Sequence, residues 1–326
     1  VAFLLAVLMS LAFAITNGFH DASNAIATLV ATRVARPGSA VALAAAFNLL
    51  GPLVMGAAVA ETVGALIDVP TDETVAVIGA GLTGAVVWNV ATWARGLPAS
   101  SSHSLVGGLV GAAILAEGAH AVEWRVVGLV LVALTLSPVL GFSVAAGLEA
   151  LARRAMRRGT HRLRTPVARL QWVTSAWLAF SHGTNDAQKT VGVIVSLLVA
   201  HGTLSTPRAP LGVVLASSAA LTIGTASGGW SIVRTIGSRI ARLRPLDSLI
   251  SQVSSASVIL GASFLGAPVS TTQIVSSSVV GTGVGQGRRR HVRWRVVRDI
   301  AIASVTTLPA AAVIAALSLP VWRLIS

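Results

Sequence analysis

Charge is too scarce in this chain for it to fold in water. Of its 326 residues, 54% are hydrophobic and only 11% are charged, whereas a soluble domain carries about 25% charged residues to solvate its surface. The shortage runs the whole length of the sequence, and mean hydropathy is +0.80. Most of the surface must therefore face lipid. In lipid every backbone N–H and C=O needs a partner within the chain, which leaves helices or a closed barrel. The apolar runs are long enough for helices, so the expectation is an all-α polytopic membrane protein. Residues 1–30 resemble a signal peptide, but they lack a basic start, and Asn17, His20, Asp21 and Asn24 stand where a cleavage site should lie. They are read as the first membrane segment.

Apolar segments fall near 2–30, 39–60, 74–95, 98–116 and 126–150, then near 172–200, 210–233, 248–265, 267–286 and 299–323. Arginines fill the connections: Arg33 and Arg36; a central group from Arg153 to Arg169 that includes Arg157, Arg158, Arg162 and Arg164; Arg234, Arg239, Arg242 and Arg244; and Arg288 to Arg298. The loop from Glu61 to Glu73 carries four acids and no base. Under the positive-inside rule the arginine loops are cytoplasmic and the acidic loop faces out. About five crossings per half satisfy every loop, with both termini extracytoplasmic. An odd number forces the second half to enter with opposite orientation, the inverted-topology repeat of secondary transporters. The division expected is residues 1–150 as the first repeat, 151–171 as a basic cytoplasmic linker and 172–326 as the second repeat. Broken or re-entrant segments would raise the helix count to as many as 12.

The net charge of +13 would suggest nucleic acid in a soluble protein. Here the arginines encode topology and attract anionic lipid, and no nucleic-acid partner is expected. The absence of cysteine excludes disulfides and thiolate chemistry.

Two polar motifs recur in the same order. Asn17-Gly18-Phe19-His20-Asp21-Ala22-Ser23-Asn24-Ala25 is matched by Ser181-His182-Gly183-Thr184-Asn185-Asp186-Ala187-Gln188-Lys189-Thr190. Pro98-Ala99-Ser100-Ser101-Ser102-His103 is matched by Pro268-Val269-Ser270-Thr271-Thr272-Gln273. The offsets are 165 and 170 residues, close enough to mark an internal repeat rather than chance likeness of small-residue segments.

Asp21 and Asp186 are the acids set well inside apolar segments. A carboxylate at the bilayer centre costs at least about 3 kcal/mol, so it persists where it faces a polar cavity or binds something. Capping of helices broken at Gly18 and Gly183 is the structural reading; coordination of a cation or proton is the functional one, and both can hold. Lys189, the sole lysine, lies one turn beyond Asp186. It is either a plain intrahelical ion pair or a mobile positive charge shared with a bound anion. The Pro-then-hydroxyl motifs suit helix N-termini, where unpaired N–H groups and the dipole favour an anion. The bland reading has these hydroxyls bonding back to their own helices. His20, His103 and His182 show no histidine pair at ligand spacing, so no structural metal site or cofactor is expected.

At these motifs the chain resembles the inorganic phosphate transporter (PiT) family, whose halves each carry a Gly-Ala-Asn-Asp-Val-Ala-Asn-Ala-like signature. The resemblance implies cation-coupled phosphate symport by alternating access in the bacterial plasma (inner) membrane, an inverted-repeat fold and a homodimer, with no enzymatic activity. By position, Asp21, Asn24, Asn185 and Asp186, with His20, fall in the coupling-ion region. Ser100, Ser101, Ser102, Ser270, Thr271 and Thr272, with Gln273 and Lys189 beside them, are the candidate phosphate ligands. His20 and Lys189 depart from the sodium-coupled signature and resemble the proton-coupled bacterial branch. The coupling ion is thus H+ or Na+, and a divalent metal–phosphate complex is a candidate cargo. The alternatives are a sulfate permease of the same family and a passive anion channel.

Overall fold

The computed structural model describes residues 1–155, 164–227, 230–240, 243–287, 290 and 292–326. Arg157, Arg158, Arg162, Arg242, Arg288 and Arg289 lie outside the described residues, as do the side chains of Ser23 and Arg164. The described chain is helical: α1 (Ala2–Ala31), α2 (Pro37–Val54), α3 (Ala58–Gly64), α4 (Thr71–Ala94), α5 (Ser101–Glu117), α6 (Trp124–Ala155), α7 (Arg164–Ala200), α8 (Leu211–Ser227), α9 (Trp230–Arg234), α10 (Pro245–Phe264), α11 (Thr271–Gly285) and α12 (Trp294–Ile325).

Five of these, α1, α2, α4, α6 and α12, are long and apolar enough to cross a bilayer. Helix α8 and residues 232–239, bent by 71° between them, would make a sixth span. Helix α7 has 37 residues, but it carries His182, Asn185, Asp186, Gln188 and Lys189 in its interior, which lowers its hydropathy. Its polar groups are buried in protein rather than turned to lipid.

Two expectations are corrected. The segments near 98–116 and 267–286 do not cross alone. Helix α5 has 17 residues and α11 has 15, so at about 1.5 Å per residue neither covers the ~30 Å hydrocarbon core. Both begin inside the protein, at buried Ser101 and Thr271. Neither α1 nor α7 is broken at its glycine, since each runs through as one helix. The glycines serve close approach instead: a Cβ on Gly18 would stand 2.2 Å from Leu221 O in α8, and one on Gly183 would stand 2.3 Å from Asn48 O in α2. In the 151–171 stretch, α6 carries Arg153 and Arg154 in its last turn and α7 begins at Arg164. Long arginine stems reach the interface from a helix as readily as from a loop.

The main packings come in matched pairs. Helix α1 lies on α8 as α7 lies on α2, and α12 lies on α5 as α6 lies on α11. Each half-length helix thus sits in its own apolar cluster. Leu105, Leu109 and Ala113 of α5 pack with residues such as Ile78, Leu134 and Leu319. Ile274, Val275 and Val279 of α11 pack with Leu29, Leu178 and Ile259, among others. Two further buried acids lie at helix ends: Glu149 near the close of α6, and Asp247, which accepts from Arg244 N–H at 2.8 Å in the first turn of α10.

The glycine contacts make a direct prediction. A Cβ on Gly224 would stand 2.1 Å from Ile15 O, so Gly224→Ala must push α8 off α1. Overpacking of this kind destabilises by about 1–3 kcal/mol. Thermal unfolding in detergent should show that loss, while Gly128→Ala, inside α6 with nothing within 4 Å of its added Cβ, should lose none and gain about 0.5–1 kcal/mol.

Candidate functional site

The first turns of α5 and α11 meet the middles of α1 and α7, and both aspartates lie at the junction. Each half-length helix is N-capped by its own motif. Ser100 Oγ accepts from His103 N–H and Ser270 Oγ from Gln273 N–H, each at 3.3 Å. The backbone N–H groups of Ser101, Ser102, Thr271 and Thr272 lie ahead of the first intrahelical bond, which leaves four donors at two positive dipole ends. Ser100 and Ser270 therefore cap the helices and do not reach the carboxylates.

The next hydroxyls do. Asp21 accepts from Thr272 Oγ1 at 2.6 Å and Ser101 Oγ at 2.9 Å, with His20 Nδ1 at 3.0 Å. Thr271 Oγ1 donates to Asp186 Oδ2 at 3.1 Å and lies 3.4 Å from Asp21 Oδ2, so one hydroxyl spans the two carboxylates. Asn24 Nδ2 donates to Thr271 and Thr272 at 3.3 and 3.2 Å. Asp186 pairs with the Lys189 ammonium, which also donates to Ser102 Oγ at 2.5 Å and Val269 O at 3.1 Å. Asp21, Asp186 and Lys189 are each at most 1% exposed, so the cluster is closed off from both sides. With neutral histidines its formal charge is −1.

Two candidate residues are placed elsewhere. Asn185 commits its amide to the end of α10 and the chain before α11, donating to Ser263 Oγ and Ala267 O and accepting from Val269 N–H. It holds the entry to α11 against α7. Gln273 lines a separate cavity of about 410 Å³ with Thr135, Ser276, Ser304 and His103, its counterpart in the other motif.

One residue of the site was set aside in the sequence reading for want of a histidine pair. His182 Nε2 stands 2.7 Å from Asp186 Oδ2. With Asp21 these two form a buried group whose ligand atoms all lie within 4.8 Å, which a metal ion would fit. A search for histidine pairs on one helix misses it, because the third ligand comes from another helix. The usable signal was that His182 precedes Asp186 by one turn.

Residues 17–315 match the description of the phosphate transporter family. The chain belongs to the phosphate transporter family. Probable low-affinity inorganic phosphate transporters are close relatives. That of Rhizobium meliloti is 41% identical over 95% of this chain and 93% of its own length. That of Bacillus subtilis is 36% identical over 97% and 95%. A solved structure titled "The sodium-dependent phosphate transporter" superposes with a TM-score of 0.90 over 100% of both chains at 22% identity, and it shares the fold. This family and these relatives are transporters, not enzymes, and the chain is a multi-pass membrane protein.

Proposed function

We propose that this family member takes up inorganic phosphate across the bacterial plasma membrane by symport with H+ or Na+, through alternating access of two inverted halves whose termini are extracytoplasmic. The observation that carries the reading is the meeting of two half-length helix N-termini at paired buried carboxylates. Four N–H groups and the hydroxyls of Ser101, Ser102, Thr271 and Thr272 suit a tetrahedral oxyanion. Asp21 and Asp186 suit the accompanying cation. Anion and cation bound together lower the charge of the occluded state.

Phosphate is preferred to sulfate because monohydrogen phosphate has a proton to donate and the site offers carboxylate acceptors. Labelled phosphate uptake in proteoliposomes, competed with sulfate, tests this. Unlabelled phosphate should suppress uptake at concentrations where sulfate does not; equal suppression would reassign the substrate.

Ser101→Ala and Thr271→Ala should each weaken phosphate binding by about 3- to 10-fold, the worth of one hydrogen bond, because the backbone donors remain. Cation dependence should change less. Isothermal titration of phosphate and of cation into the purified variants checks this ranking, and the opposite ranking would argue against a helix-terminus site.

A further inference from the structure

The two halves of the site differ where a cation should sit. Along α1, Asn17, Asp21 and Asn24 succeed one another by a helical turn on one face, and along α7 their repeat counterparts are His182, Asp186 and Lys189. The counterpart of neutral Asn24 is therefore a lysine.

The Lys189 ammonium has the surroundings of a bound alkali cation: a carboxylate from Asp186, a hydroxyl from Ser102 and a backbone carbonyl from Val269. The hydroxyl is turned accordingly. An ammonium has only donors, so Ser102 presents its lone pair to Nζ and sends its proton to Val269 O at 2.7 Å. Its counterpart Thr272 does the reverse and donates to Asp21 at 2.6 Å. Among the described residues the contacts of Asp21 include no lysine or arginine; His20 Nδ1 lies 3.0 Å from it. There Asn24 Oδ1 and both polar atoms of Asn17 are fully buried without a hydrogen-bond partner. Carboxylate, hydroxyl and amide oxygens are the donor types that a hard cation takes.

We infer that Lys189 is a tethered cation that permanently occupies one of two repeat-related cation positions, leaving the Asp21 half for a single mobile coupling cation. The inference rests on the symport reading above and adds a stoichiometry to it. The ammonium neutralises Asp186 in every cycle but never crosses the membrane, so each phosphate moves with one mobile cation fewer than two open positions would supply.

Exchanging the repeat residues tests this in proteoliposomes, with Na+ as the added cation and choline as its replacement. Lys189→Asn opens the second position: uptake should become at least about tenfold stimulated by Na+ relative to the unmodified protein, and the charge moved per phosphate should rise by one. Asn24→Lys fills the first position: the cation requirement should disappear and the charge should fall by one. If Lys189→Asn does not insert, Asn24→Lys decides alone. Variants that bind phosphate but keep the unmodified cation requirement and charge overturn the inference. So does a phosphate-binding Lys189→Asn that no Na+ concentration restores. Should the unmodified protein itself show no gradient-driven uptake, the symport reading is at fault instead.

Discussion

Asp21→Asn is expected to abolish concentrative phosphate uptake while the protein still inserts and folds. The substitution keeps size and shape. The asparagine carbonyl can still accept from Thr272 or Ser101, which now donate to the carboxylate at 2.6 and 2.9 Å. Replacing charge-assisted hydrogen bonds by neutral ones lowers stability by about 1–2 kcal/mol. The lost charge matters more for transport. At 100 mV each charge moved is worth about 2.3 kcal/mol, so removal of one coupling cation should cut the accumulation ratio about 50-fold. The ratio of internal to external labelled phosphate measures this at fixed potential. An Asp21→Asn protein that concentrates phosphate as well as the unmodified one would remove Asp21 from coupling.

Asp186→Asn is expected to fail differently, by unfolding more readily. Asp186 and Lys189 are both fully buried, and the ammonium has one carboxylate partner. Taking one member from a buried ion pair strands the other charge and costs about 3–5 kcal/mol. Replacing both members should be milder, because no charge is left unpaired. Asp186→Asn with Lys189→Asn should therefore be more stable than Asp186→Asn alone, a coupling that a double-mutant cycle reads directly. Thermal unfolding in detergent would expose the contrary case, in which the single variant matches the unmodified protein and the double variant brings no recovery.

The sequence was informative wherever a physical rule acts on residues near each other. The charge shortage called for lipid-embedded helices, and the paired Asp and Pro-hydroxyl motifs pointed to the four elements that converge on the site. Where the reading went astray, the deciding contact came from another helix. Hydropathy cannot tell a half-length helix buried in protein from one that crosses lipid, so α5 and α11 read as crossings. Gly18 and Gly183 looked like helix breaks, because the backbones of α8 and α2 pressed against them are invisible in one dimension. Asn185 and Gln273 sit in motifs whose neighbours reach the carboxylates. Which way a side chain faces is fixed by packing, and Asn185 is drawn to the chain before α11 while Gln273 faces an outer cavity. His182 was set aside because no second histidine stands at ligand spacing, whereas its partners are Asp186, one turn on in α7, and Asp21 of α1.

The central claim is that paired carboxylates beside two helix N-termini let a cation gradient drive phosphate uptake. Proteoliposomes holding the purified protein test it most directly, with labelled phosphate outside and an inward Na+ or H+ gradient imposed separately. The account predicts accumulation above the external concentration under at least one gradient, and its collapse when the matching ionophore is added. Phosphate that merely equilibrates, at the same rate with either gradient or none, would contradict it and leave a passive anion pathway in its place.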